Sequence, residues 1–275
     1  MPLPRTCATA VAACLALLSC REPGKESEPT NVAAEQPVQP APLRVADRPL
    51  DREALLLAAF RAASALAAGT DDSEGQAKLD GKRFELRIRF GCANGTDEAR
   101  GWRFDEANRT LRLRVTPDIS EADPVAAEIA GEQFETVEGL WLRRPWLLTA
   151  VCPAASQRTG AEATEKTGNS EPIAPEAAGR LVGLAQFFSP TDSRTTRRRQ
   201  RPYEATKILE EGQAPSANGY DFVLSGRLRA LPSRRVIACL AKGPEEPPAC
   251  IISVHVDRAW LERPDNREVI AEWGG

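Results

Sequence analysis

Apolar and polar residues alternate one by one from Arg83 to Phe90, with Phe84, Leu86, Ile88 and Phe90 interleaved by Arg83, Glu85, Arg87 and Arg89. A period of two places alternate side chains on opposite faces, so this stretch predicts a half-buried antiparallel strand. Trp102–Phe104 and Leu111–Val115 repeat the alternation on either side of an Asp-Glu-Ala-Asn-Arg-Thr turn and predict a hairpin. Six further stretches carry strand character: 134–142, 180–188, 203–208, 220–228, 235–240 and 251–256. Before them the period is helical. Asp51 is a candidate N-cap, residues 52–68 are rich in Ala and Leu, and Gly69 stands where a helix stops. Leu56, Phe60, Ala63 and Ala67 would form its apolar face.

Many short strands and few helices predict a mainly β, or α+β, fold. The strands form one large or two small lobes, with the N-terminal helix packed on them. Residues 154–179 are polar, rich in Ala, Thr and Glu, and lack alternation, which predicts a flexible loop or linker. A helix-plus-strands lobe over 48–153 and a β lobe over 180–275 follow.

The N-terminus breaks both periods. Arg5 precedes an apolar run from Cys7 to Leu18, too short for a bilayer-spanning helix and suited to a signal-peptide core. It ends in Leu17-Leu18-Ser19-Cys20. This resembles the lipobox of bacterial lipoproteins, with an aliphatic residue three before an invariant cysteine and a small residue just before it. The resemblance covers residues 1–20 and implies cleavage after Ser19, a diacylglyceryl group on Cys20 and acylation of the new amino terminus. Arg21, in place of the aspartate that retains many family members at the inner membrane, implies an outer-membrane destination facing the periplasm. The body of the chain resembles envelope lipoproteins of Gram-negative bacteria, a likeness that carries no mechanism. Residues 20–47 hold Pro23, Pro29, Pro37, Pro40 and Pro42 with almost no large apolar side chain. Such a segment buries too little to offset the entropy of ordering, so it predicts a disordered tether. At about 3.1 Å per residue in polyproline II, the 27 residues after Cys20 reach roughly 80 Å.

Composition narrows the chemistry. The 275 residues carry 36 Lys+Arg against 39 Asp+Glu, a formal charge of −3. That balance argues against a nucleic-acid binder, which needs a large positive excess. One histidine, His255, excludes sites built on two or more, so no metal or other cofactor is expected. Cleavage would remove Cys7 and Cys14, and lipidation would occupy Cys20. Cys92, Cys152, Cys239 and Cys250 remain, an even number that implies two disulfides in an oxidising envelope. Cys239 and Cys250 flank Ala-Lys-Gly-Pro-Glu-Glu-Pro-Pro between two strand patterns, which favours a bridge clamping a hairpin. Cys92 and Cys152 then pair by elimination.

Three stretches invite functional readings. Gly75 to Arg83 has the glycines of a phosphate loop at the wrong spacing, with arginine at the magnesium-ligand position, so a nucleotide site is rejected. Ser253, His255 and Asp257 fall on one face of a strand, in the order a catalytic triad requires. Neighbours there sit about 6.6 Å apart with parallel side chains, and no glycine-rich loop offers an oxyanion hole. A polar strand face is the plainer account. Arg194, Arg197, Arg198, Arg199 and Arg201 form a basic run, read either as a solvated loop tip or as contact with an anionic surface. Trp141, Arg143, Arg144 and Trp146 could line a binding surface, although Trp beside Leu more often enters a core. The expectation is therefore a membrane-tethered periplasmic lipoprotein with a non-catalytic binding or envelope-assembly role. Its partners would be the membrane, through the lipid, and an anionic envelope component or envelope protein, without nucleic acid. The alternative is a periplasmic hydrolase using Ser253, His255 and Asp257.

Overall fold

The computed structural model describes residues 48–70, 72–92, 99–152 and 181–274. These described residues form one compact unit. The strands are β1 (Arg83–Phe90), β2 (Arg100–Asp105), β3 (Thr110–Val115), β4 (Thr136–Trp141), β5 (Val182–Phe188), β6 (Tyr203–Ile208), β7 (Tyr220–Leu228), β8 (Ile237–Leu240), β9 (Ala249–Glu262) and β10 (Val269–Gly274). The helices are α1 (Arg52–Ala67), α2 (Ser73–Ala77) and α3 (Pro124–Ala130). The fold is mainly β, as the alternation predicts.

Seven strands make one sheet in the order β1-β7-β9-β5-β4, with β8 and β10 also paired to β9, and β2-β3-β6 make a second. The two stretches 48–153 and 180–275 are therefore not separate lobes. β1 pairs with β7 and β4 with β5, so the one-domain arrangement holds. Pairing is antiparallel except between β5 and β9, which run parallel. The long strand β9 organises the sheet. Its first half lies between β5 and β8, its second between β7 and β10. Where β5 leaves and before β10 begins, the Gln186 side chain accepts from the Val256 amide at 2.7 Å, taking the place of a strand carbonyl.

α1 begins as expected, with Asp51 accepting from the Ala54 amide at 3.0 Å, and its chain reverses at Gly69, whose φ is 62°. Its buried face is Leu55, Leu56, Ala59 and Ala62, which lie across β8 and β9; of the expected face, Leu56 is buried, Phe60 and Ala63 pack at its edge, and Ala67 is exposed. The main core joins this face to Phe84, Leu86, Ile88 and Phe90 of β1 and to Leu111, Leu113 and Val115 of the smaller sheet. A second core lies around α3, with Ile119, Val137, Trp141, Phe187 and Ile251. β5 is buried along nearly its whole length, which explains its unbroken apolar run. Asp123 caps α3 and Pro124 opens it, a start signal plain in the sequence.

Both disulfides close as expected. Cys239 and Cys250 are directly opposite on β8 and β9, with Cα atoms 4.0 Å apart, and Cys92 bonds Cys152. The amide of Cys250 donates to Leu181 on the other side, so the cysteines occupy a narrow, non-hydrogen-bonded pair. Two disulfides place the chain in an oxidising, non-cytoplasmic compartment. No helix among the described residues is long and apolar enough to cross a membrane. Cys20, the signal segment, the tether and residues 154–179 lie outside the described residues.

Candidate functional site

The proposed catalytic trio does not assemble. β7 and β9 slip register between Ser225 and Gly226, opposite Arg258 and Val256, so Asp257 is the extra residue of a bulge. Ser253 is 2% exposed, whereas His255 and Asp257 are half exposed, with Nε2 and Oδ1 3.7 Å apart. No hydrogen bond joins Ser253 to His255 among the described residues. The cause is the change of cover along β9. Ser253 lies opposite Ala185 of the second core, while His255 has passed beyond that core into solvent.

The arginine run is not a solvated tip throughout. Arg197 is 6% exposed; it donates to Glu135 at 2.9 Å and to the carbonyls of Ser189 and Asp192, and it lies over Phe188. Arg198 lies 3.9 Å over Tyr203, near Trp273, and donates to the carbonyls of Arg201 and Pro202. Arg197 is buried and Arg198 half-buried, and both guanidiniums are engaged by partners within the molecule, which removes them from the set proposed for an anionic surface. Arg194, Arg199 and Arg201 stay exposed. The backbone is pinned as well. Glu138, 8% exposed, accepts from the amides of Arg198 and Arg199, and Gln200 donates to the carbonyls of Ile119 and Val137. Arg199 and Gln200 are both left-handed, with φ of 54° and 59°, a strain these contacts hold in place.

Beneath this segment, at the divergence of β5 from β9, a crevice of about 30 Å³ is lined by Glu138, Gln186, Tyr203, Leu184, Leu224 and Val256. Burial pushes the Tyr203 hydroxyl up to about 12, with Arg198 pulling the other way and Glu138 adding to the rise. That volume holds about one water. A cleft of about 190 Å³ opens between α1 and β8, with Leu66, Ile237 and Cys239 on its walls. It is smaller than the roughly 300 Å³ at which ligand pockets begin. At its base the carboxamide oxygen of buried Gln76 accepts from the amides of Val236 and Ile237, fastening β8.

The tryptophans divide. Trp141 is core, its ring nitrogen donating to Asp123 at 3.0 Å, and Trp146 is 58% exposed. Arg52 gathers the intervening turn by donating to the carbonyls of Arg143, Arg144 and Leu147.

Buried ionic groups that the sequence left unassigned also emerge. Asp221 and Glu262 face each other across β7 and β9, and both are buried. Arg89 forks onto Asp221 at 2.6 and 3.1 Å, and Arg87, Arg267 and Trp260 converge on Glu262. Burial alone would raise the Glu262 carboxyl, but hydrogen bonds from Trp260, Arg267 and Arg87 hold it below its ordinary value. Glu262 so tied keeps its charge, and both carboxylates brace the sheet through their arginine partners. Arg100 is 2% exposed and reaches Asp118 at 2.6 Å, and burial lowers its pKa. Among the described residues, no three His, Cys, Asp or Glu side chains converge as metal ligands.

No family model matches this chain, and no curated protein or solved structure is significantly similar to it.

Proposed function

We propose that this chain is a lipid-anchored protein of the bacterial envelope, most of it a disulfide-braced β domain that works by surface contact. Cys20 carries the lipid, residues 20–47 are the tether, and the domain faces the periplasm from the outer membrane. The cysteine pairing is the observation that carries this reading. With Cys92 bonded to Cys152 and Cys239 to Cys250, Cys20 is the single cysteine of a chain cleaved after Ser19 that has no partner within the domain. A lone thiol in an oxidising compartment is a liability unless chemistry occupies it, and lipidation does so. Acyl chains contribute about 0.8 kcal/mol per buried methylene, and two chains suffice for stable anchoring.

Surface contact is favoured over catalysis by the fate of the trio. The one candidate nucleophile, Ser253, is buried away from the exposed His255–Asp257 pair, so the hydrolase alternative loses its residue-level support. Labelling with a palmitate analogue tests the anchor. The wild-type chain should take the label and the Cys20→Ala variant should not; an unlabelled wild type would overturn the reading.

A further inference from the structure

The outward face of β1, β7 and β9 carries two kinds of charge. Towards one end, cations meet carboxylates: Arg87 pairs with Glu85 and Glu262, Arg89 with Asp221, Arg267 with Glu262 and Arg258 with Glu272. At the other end the matching stops. Arg83 stands directly opposite Arg227, and Arg227 directly opposite His255, a row of three exposed side chains across three strands. Side chains so placed are about 4.5–5.5 Å apart at Cβ, and like charges there destabilise a sheet. Arg229, two residues on from Arg227, extends the row. Among the described residues Arg83, Arg227 and Arg229 form no ion pair, and the nearby carboxylates are Glu85, two residues along the same face and held by Arg87; Asp80, which accepts from the Ala230 amide; Asp257, beside His255; and Asp192, which feels the charge of Arg229.

The position of this row matters as much as its charge. The Leu50 amide donates to the Arg83 carbonyl at 2.8 Å, and Glu85 donates back to Leu50 at 2.9 Å. The chain that would run to the lipid therefore enters the domain alongside the first residue of the row. A comparable like-charge pair, Arg103 opposite Arg112, lies on the smaller sheet, but there Arg114 pairs with Glu204 and Asp105 lies close to Arg112.

We propose that Arg83, Arg227 and His255, with Arg229, form a docking strip for the phosphate groups of an anionic phospholipid surface. The strip seats the domain on the membrane to which its tether leads. This rests on the lipid-anchored reading and gives it a partner. The open strand face suits a layer of headgroups, and a headgroup phosphate between Arg83 and Arg227 relieves their repulsion.

The test uses the mature chain with Cys20→Ser, exported so that its disulfides form, and vesicles of phosphatidylglycerol or of phosphatidylcholine alone. The parent should sediment with the phosphatidylglycerol vesicles and not with phosphatidylcholine. Arg83→Gln/Arg227→Gln should weaken that binding about thirtyfold, the equivalent of about 1 kcal/mol per basic residue near an anionic surface. Arg103→Gln/Arg112→Gln, which changes the net charge equally, should leave it intact. Matching circular dichroism would show that both variants fold. Because His255 is the only histidine, its ring proton signals should shift with the anionic vesicles. Undiminished binding of the Arg83/Arg227 variant, or equal loss in both variants, would overturn the strip. So would inorganic phosphate shifting the His255 signals as strongly as vesicles of equal phosphate content, since that marks a free-anion site. Palmitate labelling judges the anchor separately, so a labelled chain whose vesicle binding ignores these arginines loses the strip alone.

Discussion

The Glu138 carboxylate accepts a hydrogen bond from the Arg199 amide at 2.5 Å and a second from the Arg198 amide at 2.9 Å. A buried acid on β4 thus fastens the backbone of the arginine run, 60 residues further along the chain. Hydrogen bonds to a charged group contribute about 1.5–3 kcal/mol each. With two such bonds lost, Glu138→Ala should destabilise the protein by about 3–6 kcal/mol in urea unfolding. Hydrogen exchange of the Arg198 and Arg199 amides should accelerate well beyond the change in global stability. Unchanged protection of both amides would mean that Gln200 and Arg197 hold the segment without Glu138.

Glu262 ties the stability of the sheet to acid. Glu262 has its carboxyl held below its ordinary 4.5. The unfolded chain therefore binds this proton first as the medium is acidified. Its contribution is complete above about pH 4.5 and is lost as the pH falls through the folded value. Unfolding midpoints should drop steeply below that pH. Glu262→Gln should lower stability by about 2 kcal/mol at neutral pH, because Arg87, Arg267 and Trp260 lose a charged acceptor. It should also flatten the acid slope. Glu135, Glu268 and Glu272 have lowered values too, but they are more exposed, so their shares are screened.

The disulfides should differ in what they hold. The Cys92–Cys152 bridge spans 60 residues and the Cys239–Cys250 bridge spans 11. In the chain-entropy model these loops contribute about 4 and about 3 kcal/mol. Removing the longer bridge by Cys92→Ala/Cys152→Ala should cost the more of the two, measured by denaturant unfolding. Cys250 is 1% exposed, so the Cys239→Ala/Cys250→Ala protein also loses packing beneath α1. A cost there above that of the longer bridge would show that packing outweighs loop entropy.

Much of this architecture can be read along the chain because the signals are local. The alternation of Arg83 to Phe90 is matched residue by residue by burial of Phe84, Leu86, Ile88 and Phe90. The hairpin of β2 and β3, the cap at Asp51 and the cysteine pair around a Pro-rich turn are equally local. β9 runs from Ala249 to Glu262, well beyond the 251–256 its apolar pattern suggests, because Asp257 and Arg258 fall at a bulge and interrupt the alternation. β10 carries no strand signal in the sequence because its residues are mostly half exposed and have no clean period of two.

The candidate site was far less legible. That Arg197 is buried and Arg198 half-buried while Arg199 is exposed depends on Glu135 and Glu138, some 60 residues away. The strand periods, the helix start and the cysteine arithmetic are legible along the chain, since each depends on neighbours within a few positions. Packing across the chain makes the two halves share one sheet, parts Ser253 from His255, and sets Arg83, Arg227 and His255 in a row. Burial and charge balance at a residue depend on which strands lie beside it, and strand order is set by packing across the whole chain.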